Sequence, residues 1–227
     1  AKIRRIGLVT DTNVYPLYGK ALEQSLIAAG FEVCTTVLAA GEESKTMDSI
    51  QALYDDFSQG KLTRSDAVLA LGGGVVGDIA GFAAATYLRG VKVYQIPTTL
   101  LAQTDSAIGG KTGVDLPSGK NRAGAFYQPE AVFIDPLVLK TLPKEQLACG
   151  FAEIIKYACI KDAELFKQLE AGVDEDIERV IYTCCRIKAQ IVENDALEAG
   201  ERMLLNFGHT VGHGIEKYYN YSQYTHG

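Results

Sequence analysis

Short apolar runs alternate with segments of helical periodicity through the first half of the chain, and this alternation predicts a parallel sheet covered by helices. The first apolar run ends at Asp11, and the third leads directly into a glycine-rich turn. The predicted strands are residues 5–10, 31–38, 67–71 and 91–96. The helices predicted between them are residues 16–29, 46–57 and 79–88.

The pattern changes after Asp135-Pro136, where helical periodicity becomes dominant. Glycines predict breaks in the helical stretch near Gly150, Gly172 and Gly200. We therefore predict an α/β protein of two domains, with a parallel-sheet domain over residues 1–137 and an all-helical domain over residues 138–227.

Composition is that of an ordinary globular protein, with 47% hydrophobic and 22% charged residues. The net charge of −6 and the pI near 5.2 argue against a nucleic-acid surface. A local basic pocket could still hold an anionic substrate. No apolar stretch approaches the ~20 residues of a membrane helix. The opening residues lead into a strand-like run, unlike a signal peptide.

The cysteines are odd in number and form no C-x-x-C pair, which disfavours metal and disulfide roles. They are Cys34, Cys149, Cys159, Cys184 and Cys185. We expect small buried thiols of a reducing compartment, and therefore a cytoplasmic protein.

All histidines of the chain lie near its end, at His209, His213 and His226. The i, i+4 spacing of the first two places them on one face of a helix, about one turn apart. A helix can present two imidazoles in this way to one metal ion or one substrate. A pair of solvated surface histidines is the alternative, and the spacing alone leaves it open.

A glycine-rich turn follows the third predicted strand, and Gly72, Gly74 and Gly77 formally match a G-x-G-x-x-G pattern. Such a turn lets the backbone approach a pyrophosphate at a helix N-terminus. A dinucleotide fingerprint usually follows the first strand, so a standard Rossmann assignment fits poorly. Asp11 and Glu42 are better placed to accept ribose hydroxyls. A structural turn, and a capping or solvated role for the two carboxylates, remain open.

Residues 97–121 are predicted to form a long loop of glycines, amides and two lysines, suited to holding a polyhydroxylated anion. Its Gly109–Gly113 string resembles a P-loop, but the Walker spacing requires glycine where Asp105 stands, so a P-loop is rejected. A solvated surface loop is the alternative.

The helical half carries further charged candidates. Glu153 and Lys156 are three residues apart on one helical face, where a surface ion pair is the common interpretation. Glu153 can alternatively join the histidines as a carboxylate ligand of zinc. Lys188 and Arg202 are either solvated charges or groups that converge on a phosphate or carboxylate.

Several blocks together resemble the 3-dehydroquinate synthase family of sugar-phosphate cyclases. They are GGGVVGDIAGFAAATYLRG, PTTLLAQTDSAIGGKTGVDLPSGKN, FAEIIKYA, ERMLLNFGHTVGH and the closing THG. The resemblance implies an N-terminal NAD-binding α/β domain followed by a helical metal-binding domain. It also implies conversion of 3-deoxy-D-arabino-heptulosonate 7-phosphate into 3-dehydroquinate and phosphate, with NAD regenerated in each turnover.

The resemblance also assigns roles to individual residues. The implied ligands of zinc (or cobalt) are Glu153, His209 and His226, and His213 then faces the substrate. The other implied substrate contacts are Arg89, Asp105, Lys111, Asn121, Lys156, Lys188, Arg202 and Asn206. The implied NAD contacts are Asp11, Glu42, Lys45, Gly73, Gly74, Asp78, Thr98 and Thr99, with Lys120 beside the cofactor.

We also expect a phosphorylated sugar-acid substrate and a homodimer. No nucleic-acid or membrane partner is expected. Family members continue beyond the THG block, so we expect a C-terminally truncated chain. Other cyclases that make inosose or valiolone rings share the site, but Arg202, Asn206 and His213 favour the dehydroquinate branch. A metal-dependent alcohol dehydrogenase, which would release NADH, and a catalytically silent fragment are the further alternatives.

Overall fold

The described residues divide into an α/β unit and a helical unit. The computed structural model describes residues 2–172, 176–219 and 224–226. The α/β unit runs to Thr98 and resumes over Gly110–Asp135, and the helical unit is Thr99–Gly109 with the chain from Pro136 onward. The predicted range 1–137 assigns Thr99–Gly109 to the first domain, whereas its contacts are with the helical unit. The assignment of residues 1–137 to NAD binding and of residues 138–227 to metal and substrate binding stays a prediction.

The strands of the described residues all belong to the α/β unit. They are β1 (Arg5–Asp11), β2 (Glu32–Leu38), β3 (Ala67–Gly72), β4 (Lys92–Pro97), β5 (Lys111–Leu116), β6 (Gly119–Phe126) and β7 (Ala131–Val132). The main sheet has the order β2-β1-β3-β4-β7, and every neighbouring pair in it is parallel. All four predicted strands and their parallel arrangement are confirmed. The two-residue β7 is too short to leave a periodic signal in the sequence.

The helices of this unit are α1 (Lys20–Ala28), α2 (Met47–Gln59) and α3 (Gly74–Thr86). A π-helical turn over Tyr15–Gly19 precedes α1, so the first predicted helix is divided in two. Helix α3 begins five residues before the predicted start, because its first turn contains glycines, whose low helix propensity hides it. The glycine turn is therefore the N-terminus of a helix.

Helices α2 and α3 cover one face of the sheet with their apolar side chains. Ile50, Leu53 and Phe57 of α2 are fully buried, in one cluster with the small residues Ala80 and Ala83 of α3. Small side chains let α3 approach the strands closely, which excludes water from the strand backbones.

The loop predicted over residues 97–121 is wrong at Ala102–Ser106, which form a π-helical turn, and from Lys111 onward, where the chain forms the antiparallel hairpin β5–β6 of residues 111–126. Gly113 lies opposite Gly124 across this hairpin, and a Cβ on Gly113 would lie 2.6 Å from the carbonyl oxygen of Ala123. The glycines therefore permit close cross-strand packing. Because glycine is typical of loops, composition concealed the two strands.

The helical unit contains α4 (Lys144–Lys161), α5 (Ala163–Ala171), α6 (Ile177–Asn194) and α7 (His209–Tyr218), with 3₁₀ turns at Pro136–Thr141 and Glu201–Asn206. The breaks near Gly172 and Gly200 are confirmed, but the break near Gly150 is wrong. Helix α4 continues through Gly150, where a Cβ would lie 2.5 Å from the Cβ of Leu100. The glycine serves close packing and does not end the helix. No described helix is both long and apolar enough to cross a membrane.

The cysteines are free thiols, but they are not uniformly buried. Cys149 and Cys184 are buried, whereas Cys159 is exposed, so the expectation of burial is wrong there. Burial raises the pKa of Cys184 to about 12 and that of Cys185 to about 11. These two groups are therefore neutral thiols at physiological pH.

Asp66 ties the start of β1 to the turn before β3. Its carboxylate accepts hydrogen bonds from the backbone N–H groups of Arg4, Arg5 and Thr63 and from the Thr63 hydroxyl, over 2.7–3.2 Å. Burial alone would raise the pKa of Asp66, but these donors favour the ionised form and hold the pKa below its usual value.

We predict that Asp66→Asn lowers the free energy of unfolding by about 1.5–3 kcal/mol at neutral pH, because an amide cannot accept all of these bonds. Because the folded-state pKa is depressed, the contribution is present above the unfolded value of about 3.9 and is lost as pH falls through the folded value. Urea denaturation of the parent protein and of Asp66→Asn, at neutral pH and at a pH below the folded-state pKa of Asp66, measures this contribution. Asp55→Asn, at an exposed position of α2, is the control. Equal free energies of unfolding for the two variants at neutral pH would contradict the prediction.

Candidate functional site

Helix α7 presents two of the three histidines on one face. It begins at His209, directly after Gly208, whose φ of +82° is a conformation that favours glycine. The rings of His209 and His213 have centroids 5.3 Å apart. The shared helical face predicted from the i, i+4 spacing is therefore confirmed.

Glu153, His209 and His226 converge within the helical unit. Their ligand atoms all lie within 4.8 Å of one another, and Glu153 is only 3% exposed. Oε1 of Glu153 lies 3.5 Å from Nε2 of His209 and 3.2 Å from Nε2 of His226. One carboxylate oxygen and two imidazole nitrogens suit zinc or cobalt and leave room for a further ligand. The donor set therefore fits the implied metal.

The negative charge of Glu153 favours a cation between this carboxylate and the two histidines. The hydrogen bond with Glu153 raises the pKa of His226 above its ordinary value, despite the opposing effect of burial. Burial lowers the pKa of His209, and Glu153 only partly offsets this effect. An imidazole that is neutral at physiological pH is the form that binds metals.

Glu216 is a residue that sequence reasoning missed. It lies in α7, is 5% exposed, and contacts His213 through Oε2 at 3.0 Å and His226 through Oε1 at 3.1 Å. The pKa of Glu216 is lowered, because the hydrogen bonds from the two imidazoles outweigh the effect of burial. Its i, i+3 spacing from His213 was the available signal. His213, Glu216 and His226 also form a second group of converging ligand atoms.

A buried cluster of opposite charges adjoins Glu153. Lys188 Nζ donates to both the carboxylate and the backbone carbonyl of Asp105, each at 2.6 Å. Lys156 hydrogen-bonds to Glu153 and lies 3.8 Å from Asp105 Oδ2. The surface-pair interpretation of Glu153 and Lys156 is wrong, since both are buried. Although burial opposes it, the attraction of the two lysines holds the pKa of Asp105 far below its usual range.

Tyr157 completes this cluster and was not identified from the sequence. Its ring is fully buried and its hydroxyl donates to Asp105 Oδ1 at 2.5 Å. Burial, followed by the charge of Asp105, raises the pKa of Tyr157 well above its ordinary value, so the hydroxyl stays a donor. In sequence it is one more apolar position of an amphipathic helix.

Arg202 is fully buried rather than solvated. Its guanidinium donates to the backbone carbonyls of Ala196 and Gly109 at 2.6 and 2.7 Å. Gly109 has a φ of +95°, and a Cβ there would lie 2.8 Å from Nη2 of Arg202. Asn206 is exposed and donates to Glu198. The structure thus separates Arg202, a deeply anchored cation, from Asn206 at the surface.

Three further candidates for substrate contact lie in the α/β unit. Lys111 begins β5 and is exposed. Asn121 on β6 and Arg89 after α3 are exposed and have φ values of +54° and +67°. Positive φ is uncommon for residues with side chains, and such conformations concentrate at functional sites.

Candidates for cofactor contact gather at the carboxyl ends of the parallel strands, where open α/β sheets bind ligands. Gly73 and Gly74 follow β3 at the start of α3, and Thr98 follows β4. The hydroxyls of Thr10 and Thr98 are buried and have no hydrogen-bond partner among the residues described. Buried polar atoms are normally paired, so these two suit the polar groups of a ligand. The arrangement fits a dinucleotide.

Other cofactor candidates pair with one another. Lys45 and Asp78 form an ion pair of 2.6 Å, and Lys120 lies 3.2 Å from Glu42. Although burial lowers it, the attraction of Asp78 leaves the pKa of Lys45 raised. Two further candidates cap local turns: Asp11 Oδ1 accepts from the N–H groups of residues 13 and 14, and Thr99 Oγ1 accepts from that of residue 102.

Comparison with known proteins covers nearly the whole chain. Residues 35–149 match the family model described as 3-dehydroquinate synthase N-terminal, and residues 150–227 match the one described as 3-dehydroquinate synthase C-terminal. A curated 3-dehydroquinate synthase of Clostridium acetobutylicum is 54% identical over 98% of this chain. The chain spans 64% of the length of that relative.

Two solved structures are similar in fold. A 2-epi-5-epi-valiolone synthase from Streptomyces hygroscopicus, with NAD+ and Zn2+ bound, has a TM-score of 0.87 and 34% identity over 94% of this chain and 62% of its own. A 2-deoxy-scyllo-inosose synthase, complexed with carbaglucose-6-phosphate, NAD+ and Co2+, has a TM-score of 0.91 and 29% identity over 99% of this chain and 64% of its own. The predicted fold class, a parallel-sheet α/β domain with a helical domain, is confirmed.

We predict that Asp105→Asn lowers the free energy of unfolding by about 3–5 kcal/mol, because it leaves buried Lys188 without its counter-charge. Chemical denaturation followed by circular dichroism measures this loss. Glu170→Gln, at an exposed position of the same unit, should change stability by less than about 0.5 kcal/mol. Wild-type stability of Asp105→Asn would contradict the prediction.

Proposed function

The chain belongs to the 3-dehydroquinate synthase family, and we propose that the protein converts 3-deoxy-D-arabino-heptulosonate 7-phosphate into 3-dehydroquinate and inorganic phosphate. The observation that carries this proposal is one connected cluster in the helical unit. Glu153 there contacts two histidines and buried Lys156, and Asp105 joins Lys156 to buried Lys188. A metal site beside an anion-binding site is what an oxidation and phosphate elimination on one anionic substrate require.

We propose NAD and a divalent ion, zinc or cobalt, as the cofactors. Zn2+ with NAD+, and Co2+ with NAD+, are bound by the two cyclases that resemble this chain. When bound, NAD supplies a reversible hydride acceptor, and the ion supplies a Lewis acid for the alcohol that is oxidised. Glu153, His209 and His226 would hold the ion.

Asp105 positions the cationic side of the site. An ammonium has three donors, and Lys188 directs two of them to Asp105, so the third can reach a substrate oxygen. Lys156 lies between Glu153 and Asp105, which places a second cation next to the metal ligands. We propose that these lysines bind the anionic groups of the substrate, where ammonium groups contribute charge-assisted hydrogen bonds. The other proposed substrate contacts are Arg89, Lys111, Asn121, Arg202 and Asn206.

His213 is proposed as the group that exchanges protons with the substrate. Its side chain is 54% exposed, and its Nδ1 faces Glu216. With Nδ1 facing Glu216, Nε2 is the nitrogen that would exchange a proton with the substrate, a common role of imidazole in general acid–base catalysis. Three other side chains already suffice as ligands, so His213 is not needed for the metal.

NAD is proposed to bind the strand ends of the α/β unit, with its pyrophosphate near Gly73 and Gly74 at the N-terminus of α3. Asp11 and Glu42 would accept ribose hydroxyls, which favours NAD over NADP because a 2′-phosphate would meet like charge. The remaining proposed contacts are Lys45, Asp78, Thr98 and Thr99, with Lys120 beside the cofactor. We also propose a cytoplasmic homodimer.

Product analysis of the full-length protein separates the candidate activities. We expect stoichiometric phosphate release from the heptulosonate phosphate in the presence of NAD and zinc, with no net gain in NADH absorbance, because the hydride returns to the substrate. Glucose 6-phosphate is the control substrate and should release none. Accumulating NADH would instead indicate an alcohol dehydrogenase, and absence of both signals would indicate a silent protein.

We predict that His213→Ala retains the metal and lowers kcat by about 10²–10⁴-fold, the usual contribution of a general acid–base group. Metal analysis and steady-state kinetics measure the two effects separately. His209→Ala is the matched variant on the same helix face, and it should lose the metal. Metal loss in His213→Ala would make this residue a ligand and refute its proposed role.

A further inference from the structure

One buried carboxylate joins the two histidines to which different roles are assigned. Glu216 contacts Nδ1 of His213 with one oxygen and Nδ1 of His226 with the other, at 3.0 and 3.1 Å. Its side chain is 7% exposed, although it lies on a helix whose other face is open to solvent. Burying a carboxylate is costly unless hydrogen bonds compensate, so these contacts account for its position.

The contacts determine which imidazole nitrogen is available. A carboxylate accepts hydrogen bonds, so each Nδ1 that faces Glu216 carries the hydrogen. When Glu153 and His226 hold a metal ion instead of sharing a hydrogen, the neutral His226 ring would offer the lone pair of Nε2. Nε2 of His226 is the atom that lies 3.2 Å from Glu153. His209 follows the same arrangement, since its Nδ1 lies 3.2 Å from the carbonyl oxygen of Phe207 and its Nε2 faces Glu153.

We propose that Glu216 is a positioning residue that holds His226 and His213 in the Nδ1–H form. His226 is thereby directed to ligate the metal through Nε2, and His213 is directed to exchange protons through Nε2. The inference rests on the proposed function and goes beyond it, because it assigns one residue the alignment of both rings. Such outer carboxylates orient metal-binding histidines and typically change metal affinity about 10–100-fold.

The alternative is that Glu216 is itself a ligand, together with His213 and His226, because their ligand atoms also converge. A ring that retains its N–H can ligate through one nitrogen only, so this set competes with Glu153 and His209 for His226. Glu153 is the more deeply buried of the two carboxylates, and His213 is the most exposed of the three histidines. The geometry therefore favours Glu216 outside the ligand set.

The test is metal binding to Glu216→Gln in the full-length protein. Co²⁺ affinity is measured by chelator competition, coordination by the visible spectrum of bound Co²⁺, and ring protonation by ¹⁵N chemical shifts of the histidines. We expect affinity to fall about 10–100-fold with an unchanged Co²⁺ spectrum, and the Nδ1–H forms of His213 and His226 to become mixed with Nε2–H forms. Glu216→Asp, which keeps the carboxylate, should recover part of the affinity.

Glu193→Gln, at an exposed position of α6, removes the same charge elsewhere and should bind Co²⁺ as the parent does. Unchanged affinity and unchanged ¹⁵N shifts in folded Glu216→Gln would overturn the inference alone, leaving the proposed metal site intact. Loss of Co²⁺ as complete as in Glu153→Gln, or an altered Co²⁺ spectrum, would make Glu216 a ligand and also overturn it. If the unsubstituted protein bound no Co²⁺, the proposed metal site and the inference would fail together.

Discussion

The buried charges around Asp105 and Glu153 are the constraint on which the candidate site depends. Lys156, Lys188 and Glu153 are buried and the side chain of Asp105 is only 19% exposed, and ions remain so far from water only when they are closely paired. This pairing connects α4, α6 and the turn at Ala102–Ser106. The proposed metal ligands and the proposed anion-binding lysines therefore share one charge network, in which Glu153 contacts two histidines and Lys156.

Two glycines allow the segment that carries Asp105 to pack closely against the helices of this network. The segment Thr99–Gly109 can lie among the helices because Gly150 admits Leu100 against α4, and because Gly109 admits the guanidinium of Arg202. Arg202 then bonds the Gly109 carbonyl and fixes the end of the segment. A loop in sequence is thus an integral part of the helical core, with Asp105 at its centre.

In the α/β unit, the parallel sheet determines where the candidate cofactor residues lie. Parallel pairing brings the ends of β1, β3 and β4 to one edge, together with two buried threonine hydroxyls and the N-terminus of α3. The ion pair of Lys45 and Asp78 stabilises the loop beside that edge. Fold and cofactor chemistry are coupled there, because the strand ends that close the core also line the proposed dinucleotide site.

Periodicity by itself determined the parallel sheet, the helical second half and the shared face of His209 and His213, because these are local consequences of residue spacing. Family resemblance selected Glu153 and His226 from many polar residues. Tertiary structure alone decided that Glu153 and Lys156 are buried and that residues 111–126 form a hairpin. It also revealed Tyr157, whose partner Asp105 comes from a distant segment, and Glu216, whose second partner, His226, lies outside its helix. Spacing along a chain describes the face of an element, whereas the charge a residue meets depends on what packs against that face.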